Sequence, residues 1–281
     1  MKVHSSPADV RALIQHARRQ GAVVGVVPTM GALHAGHVSL VQAARKDCDY
    51  VVATVFVNPT QFGPHEDFDR YPRTLDEDLQ KCEAAGADLV LTPATSQMYL
   101  PDAESDVRVT GLTRKLEGAR RPGHFDGVTT IVAKLFNMTV PDKAYFGQKD
   151  YQQQLVIRRM VMDLNWGIEI VTCPIIRETD GLAMSSRNRY LSAEDRPRSL
   201  VLWRSLKLAE QLAAAGSRPA EIAARMTQLI QVEDGVELDY AVVVDRCTLD
   251  PAVANAETGV ALLAAKLGKT RLIDNQELRF L

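Results

Sequence analysis

A valine-rich run at residues 22–27 (AVVGVV) leads into TMGALHAGHV at residues 29–38, followed by an amphipathic pattern through Val38, Val41, Gln42 and Arg45. The run is too short for a buried helix and rich in β-branched residues. It reads as a strand, then a glycine-containing turn, then a helix start. Further apolar runs at residues 50–57 (YVVATVFV), 88–92 (DLVLT), 143–146 and 167–173 alternate with helical patterns at 6–21, up to 46, 74–86, 128–138 and 151–164. Strands that are apolar throughout, rather than every second residue, are covered on both faces. Their alternation with helices predicts a parallel sheet of the doubly wound, Rossmann-like α/β kind. Ligands of such sheets sit at the carboxyl ends of the strands, which is where the 29–38 turn falls.

The character changes after about Tyr190. A long alanine- and leucine-rich helix at 192–215, a second helix at 219–231 and strand-like segments at 236–244 and 270–274 predict a smaller C-terminal α+β domain. The expected division is residues 1–177 for the ligand-binding domain and 178–281 for the smaller one, with the polar segment 178–189 as hinge. A chain of 281 residues accommodates two domains of about 100–200 residues.

The net charge is −2, and beyond Arg187 there are 12 basic against 13 acidic residues, so neither part is a basic nucleic-acid module. The amino terminus has no apolar core of the signal-peptide kind, and no run reaches the roughly 20 apolar residues that span a bilayer. Cys48, Cys82, Cys173 and Cys247 are scattered without a CxxC pair, as expected of reduced, structural thiols. A cytoplasmic enzyme without membrane or nucleic-acid partners fits this composition.

Four segments carry candidate chemistry. His34 and His37 stand at a helix start, where unpaired N–H groups and the helix dipole favour a phosphate, and two imidazoles there can stabilise charge developing in a reaction. Capping and packing, or metal binding, remain open for the pair on spacing alone; a metal needs a third ligand, and none stands at ligand spacing. Asn58 and Gln61, in VNPTQFG after a strand, can each donate and accept hydrogen bonds to a polyol or carboxylate, or stabilise the turn. In FGQKDYQQ (146–153) a strand end, Gly147, Lys149 and a helix start repeat the anion-site logic, with Asp150 as helix cap or ribose acceptor and Gln153 on the first helical turn. In GLAMSSRN (181–188), Ser185 and Ser186 next to Arg187 suit phosphate oxygens. The acids at 76–78 read as a solvated first helical turn, and RRPGH (120–124) as a basic, flexible loop able to cover an anionic site.

Together these segments resemble the pantoate–β-alanine ligase family. The blocks that carry the resemblance are PTMGALHAGH (28–37), FVNPTQF (56–62), RRPGHFDGV (120–128), FGQKDYQQ (146–153) and DGLAMSSRN (180–188). HxGH alone is shared by the wider nucleotidylyl-transferase superfamily; five blocks in this order are highly specific. The resemblance implies a two-step ligation in which ATP and (R)-pantoate give pantoyl adenylate and pyrophosphate, and β-alanine then displaces AMP to give pantothenate. It implies ATP contacts at Met30, His34, Gly36, His37, Gly147, Lys149, Asp150, Ile176, Met184, Ser185, Ser186 and Arg187, with His37, His34 and Lys149 catalytic. Residues 184–187 would close over the phosphates like the KMSKS loop of class I tRNA synthetases. Gln61 and Gln153, with Asn58, would bind pantoate, and Gln61 would also lie near β-alanine. Mg²⁺ would accompany ATP, with Asp78 as a candidate ligand, and the enzyme would be a homodimer. The alternatives are another HxGH nucleotidylyl transferase, such as a cytidylyltransferase, which would lack FVNPTQF and the second glutamine, and an RNA-binding relative of a tRNA synthetase, which would carry a basic appended domain.

Overall fold

The computed structural model describes residues 1–64 and 66–281. The chain divides into two compact units. One comprises Met1–Gln148 and Gln152–Pro174; the other comprises Ile175–Leu281 together with Lys149–Tyr151.

The first unit contains, in order, β1 (Lys2–His4), α1 (Pro7–Arg19), β2 (Val24–Thr29), α2 (Ala35–Asp47), β3 (Tyr50–Val55), α3 (Leu75–Ala85), β4 (Leu89–Leu91), the short α4 (Thr95–Met98) and α5 (Leu116–Arg120), α6 (His124–Thr139), β5 (Lys143–Gly147), α7 (Tyr151–Asp163, its first residue grouped with the other unit) and β6 (Glu169–Cys173). The six strands are parallel and ordered β1-β4-β3-β2-β5-β6. From β2 the chain winds outward to β3 and β4, then returns to place β5 on the other side of β2. The order therefore reverses between β2 and β5, which pair at Gly25↔Lys143 and Val26↔Ala144. In open parallel sheets the crevice for ligands lies at this reversal, outside the carboxyl ends of the strands.

Side-chain alternation explains the unbroken valine runs. Val24, Val26, Val52, Leu89, Leu91, Ala144 and Phe146 join one buried cluster, with residues of α1, α6 and α7. Val27, Val51, Ala53, Val90 and Tyr145 join another, with α2 and α3. Each of β2 to β5 feeds both cores, so both of its faces are apolar, whereas the edge strand β1 is largely exposed. Ser6 caps α1 by accepting from the Asp9 N–H. Thr74, in the capping position of α3, makes no cap bond; its hydroxyl donates to Asp78 Oδ2 at 3.3 Å instead.

The second unit contains α8 (Asp195–Arg198), α9 (Leu200–Ala214), α10 (Pro219–Gln231) and an antiparallel meander of β7 (Val236–Val244), β8 (Thr258–Leu267) and β9 (Thr270–Arg279). The single helix expected at 192–215 is divided at Ser199, whose hydroxyl turns back to the Arg196 carbonyl at 2.6 Å. The last strand runs five residues beyond the expected end. β8 is a further finding: as the central strand it is buried on both faces along most of its length and, rich in alanine, shows neither alternation nor β-branched enrichment.

Among the described residues no helix is long and apolar enough to cross a membrane. Cys48, Cys82 and Cys173 are buried, Cys247 is exposed, and none is paired.

Candidate active site

At the end of β2 the chain turns through two left-handed residues, Gly31 (φ 82°) and Ala32 (φ 51°), before α2 begins. Asp78, on α3, braces this turn. Its Oδ2 accepts from the Ala32 N–H at 2.9 Å and its Oδ1 from the Leu33 N–H at 2.7 Å, and the carboxylate is 1% exposed. Lys81, one turn along α3, donates to the Leu33 carbonyl at 2.9 Å. The acid cluster expected to be a solvated first turn thus contains one buried member. Asp78 also fits poorly as a metal ligand, because both of its oxygens are engaged by the main chain.

The two histidines form a reciprocal cap. His34 is the N-cap of α2 and its Nδ1 accepts from the Gly36 N–H at 3.1 Å; the Nδ1 of His37 accepts from the His34 N–H at 3.3 Å. The ring centroids are 4.1 Å apart. A neutral imidazole that accepts at Nδ1 carries its hydrogen at Nε2, so both rings hold an Nε2–H donor at a helix N-terminus. Gly36 permits this, since a Cβ there would fall 2.8 Å from His34 Cε1. Capping and charge stabilisation, alternatives on sequence alone, are compatible functions of different nitrogens of the same rings.

The segment after β3 is held more tightly than a turn requires. Asn58, 1% exposed, donates from Nδ2 to Gln61 Oε1 at 3.2 Å and to the Gly127 carbonyl at 3.1 Å. Its Oδ1 accepts from the Tyr99 hydroxyl at 2.8 Å and the Thr60 hydroxyl at 3.0 Å. Asn58 therefore orients Gln61 from behind. Gln61 Nε2 lies 2.8 Å from Met30 Sδ, which brings two sequence-predicted residues together.

Residues 120–124 are not a loose loop. Arg120 ends α5 and His124 opens α6. Arg121 grips Glu66 as a fork, Nε to Oε1 at 2.7 Å and Nη2 to Oε2 at 2.6 Å. Burial opposes ionisation of Glu66, but the Arg121 fork outweighs it and holds the carboxyl below its usual range. Arg121 Nη1 also lies 3.0 Å from His124 Nε2. Arginine can only donate, so that nitrogen accepts, and the Nδ1–H donates to the Gln61 carbonyl at 2.7 Å. Burial, then the Arg121 charge, pushes the His124 pKa down to about 4, keeping it neutral. Glu66, Tyr99 and Arg121 escape sequence reasoning as supports of Gln61; the RRPGHF block is the one local signal in this region.

On α7 three consecutive glutamines divide their tasks. Gln152 is buried, its Oε1 accepting from the Glu117 N–H at 2.9 Å and its Nε2 donating to the carbonyls of Leu112 and Lys115 at 2.7 and 2.8 Å. Gln154 is buried and accepts from the Thr172 hydroxyl at 3.2 Å. Gln153, on the remaining face, is half-buried. Gly147 ends β5, beside the strand that leads to the histidines.

In the second unit the Met184 N–H donates to the Ile176 carbonyl at 2.9 Å, pairing the expected adenine-side residue with the start of the SSRN segment. Ser185 caps the short helical turn Ser186–Tyr190 by accepting from the Arg187 N–H at 3.3 Å. Asn188 ties that turn to Glu178 at 2.7 Å. Lys149 is 20% exposed at its side chain, with Nζ 3.9 Å from Asp150 Oδ1.

The comparison that decides the family is a match to the model of pantoate–β-alanine ligase over residues 2–277. The chain belongs to the pantoate–β-alanine ligase family. Its relatives in that family include the pantothenate synthetases of Acetivibrio thermocellus and Moorella thermoacetica, each 51% identical over 276 residues and covered to 98%, as is this chain. Among solved structures, the pantothenate synthetase of Thermus thermophilus superposes with a TM-score of 0.94 at 44% identity, covering 98% of this chain and 99% of that one. The pantoate–β-alanine ligase of Francisella tularensis, crystallised in complex with β-γ ATP and β-alanine, superposes at 0.81 with 31% identity, covering 98% and 97%. As a pantoate–β-alanine ligase the chain is an AMP-forming acid–amino-acid ligase of pantothenate biosynthesis.

Proposed function

We propose that this chain condenses pantoate with β-alanine at the expense of ATP, with the histidine pair at the head of α2 acting on the adenylyl-transfer step. In the first step a pantoate carboxylate oxygen attacks the α-phosphorus, the bond to the bridging oxygen of the β-phosphate breaks, and pyrophosphate departs. In the second the β-alanine amine attacks the acyl carbon of pantoyl adenylate, AMP departs with the bonding electrons, and the amine loses a proton. The attacking groups belong to the substrates, so no protein nucleophile is needed.

The observation that carries this reading is the pair of Nε2–H donors fixed by reciprocal capping at the strand-order reversal. Preorganised donors aimed at charge that develops during reaction lower the barrier most. His37 is the principal stabiliser and His34 assists, with the α2 N–H groups near Gly36 and with Met30 completing that side. Gln61, held by Asn58 and by the Arg121–His124 pair, and Gln153 bind pantoate; Gln61 also meets β-alanine. Gly147, Lys149, Asp150, Ile176, Met184, Ser185, Ser186 and Arg187 bind the nucleotide. Residues 184–187 exclude water from the acyl adenylate, which would otherwise hydrolyse.

Among the described residues no group of three or more His, Cys, Asp or Glu is placed to hold a metal ion. Mg²⁺ would enter with ATP as part of that substrate and would neutralise phosphate charge. The working form is a cytoplasmic homodimer.

An AMP-release assay with ATP, pantoate and β-alanine, each omitted in turn, tests the overall reading. AMP formation requires all three, while pantoate alone supports ATP–pyrophosphate exchange. AMP formation without pantoate refutes it.

A further inference from the structure

Within the second unit, one buried network ends on the main chain of Lys149. Asn275, on β9 and 1% exposed, donates from Nδ2 to the Lys149 carbonyl at 2.9 Å. Its neighbour Asp274, 3% exposed, receives the Arg177 guanidinium as a fork, Nη1 to Oδ2 at 2.7 Å and Nη2 to Oδ1 at 3.0 Å. Arg177 Nη2 also reaches the Asn275 carbonyl at 3.4 Å, and Nη1 donates to the Gly181 carbonyl at 3.0 Å. The Trp203 ring closes the remaining side, with its centroid 4.0 Å from the guanidinium carbon. Gly181 has φ 99°, and a Cβ there would fall 2.1 Å from Trp203 Cδ1, so the loop meets the tryptophan only through a glycine.

A buried ion pair is weak as a source of stability, because desolvation cancels most of its Coulombic gain. What this one does is geometric. Outside β9 the network ends on two carbonyls: that of Lys149, which accepts from Asn275, and that of Gly181, three residues before Met184, which accepts from Arg177. Both are thereby referenced to the same two residues of β9. Arg177 is also bridged to Ala183, so the limb leading to residues 184–187 is held at two points.

We propose that Asn275 is a positioning residue for Lys149, and the adjoining Arg177–Asp274 pair for the limb leading to residues 184–187, so that both are set relative to strand β9. They touch no substrate and act through those groups. The proposal rests on the reading of Lys149 and residues 184–187 as phosphate-binding, and it predicts that loss of Asn275 damages nucleotide handling and not pantoate handling.

The test is pantoate-dependent ATP–pyrophosphate exchange by the full-length enzyme, with ATP and pantoate saturation measured separately, for Asn275→Ala, Lys149→Ala and the double variant. Asn275→Ala is expected to lower the exchange rate about 10-fold and raise the KM for ATP, with the KM for pantoate within about twofold of wild type. Lys149→Ala loses about 10²-fold, and the double variant loses no more than Lys149→Ala, since both changes remove one device. Additive losses, or equal weakening of ATP and pantoate saturation, overturn the positioning role while leaving the nucleotide reading intact. Full exchange by Lys149→Ala overturns the nucleotide reading and the proposal with it. Should Asn275→Ala not fold, Arg177→Lys keeps the charge over Trp203 but lacks the fork and the reach to Gly181. It is expected to raise the KM for ATP and spare that for pantoate, and a rise in both alike overturns the proposal.

Discussion

The main-chain N–H of His34 lies 3.3 Å from Nδ1 of His37, so the second histidine of the motif caps the first. The same contact that starts α2 fixes the tautomer of His37 and leaves its Nε2 as a donor. Structure and chemistry can be separated at His34, because other side chains cap helices without offering an imidazole.

His34→Ser is expected to leave α2 capped, since serine is a preferred N-cap, with unfolding free energy within about 1 kcal/mol of wild type. Exchange of pyrophosphate into ATP should nonetheless fall. His37→Ala should cut it by about 10²-fold or more, the scale of one lost charge-stabilising donor. Urea melts and exchange rates on the same preparations check both, and unchanged exchange in His37→Ala refutes its role.

Asp78→Asn tests the brace beneath the turn. The amide cannot accept from both the Ala32 and Leu33 N–H groups, and one of its own hydrogens must face a donor. Breaking a buried, charge-assisted pair of bonds costs about 2–4 kcal/mol, so the urea midpoint should drop markedly. The Mg²⁺ dependence of the folded fraction should be unchanged. A shifted Mg²⁺ requirement with unaltered stability would restore Asp78 as a metal ligand.

His124 makes stability depend on pH in a definite window. Its folded pKa of about 4 lies below the unfolded value near 6.5, so between those pH values the unfolded chain binds more protons than the folded one. Stability is complete above about pH 6.5 and is lost as the pH falls toward 4, by at most about 3 kcal/mol. Glu66, with its pKa lowered, adds a loss that sets in near its ordinary value of 4.5, at the acid end of this window, and grows at lower pH as its carboxylate protonates. His124→Gln should flatten the melting temperature between pH 6.5 and 4. An unchanged slope assigns the effect to other groups.

The sheet was legible because β2 and β3 serve two cores, and a strand apolar on both faces declares itself in one dimension. β8 did not, since buried alanines suit helix and strand alike. The head of α2 was legible for a related reason: HAGH is local, and its capping bonds span two and three residues. The supports of the site are not local. Tyr99 reaches Asn58 across 41 positions and Asn275 reaches Lys149 across 126, distances at which a single sequence carries no pairing signal. Asp78 is the intermediate case. It lies in line with Cys82 and Ala85 on the buried stripe of α3, a spacing that sets it apart from Asp76 and Glu77 and that a reading of 76–78 as one solvated turn passes over.

The three glutamines at the start of α7 allow binding and support to be told apart by neighbouring substitutions. Gln152→Ala leaves the Glu117 N–H and the Leu112 and Lys115 carbonyls without their buried partner, which should cost about 1–3 kcal/mol in a urea melt. Gln153→Ala changes a half-buried side chain and should stay within about 0.5 kcal/mol of wild type. Its effect belongs in substrate saturation. A hydrogen bond to an ionised carboxylate contributes about 1.5–3 kcal/mol, so the KM for pantoate should rise by about 10-fold or more while that for ATP changes little. Equal shifts in both constants, or a stability loss matching that of Gln152→Ala, would remove Gln153 from the pantoate site and make it a third brace.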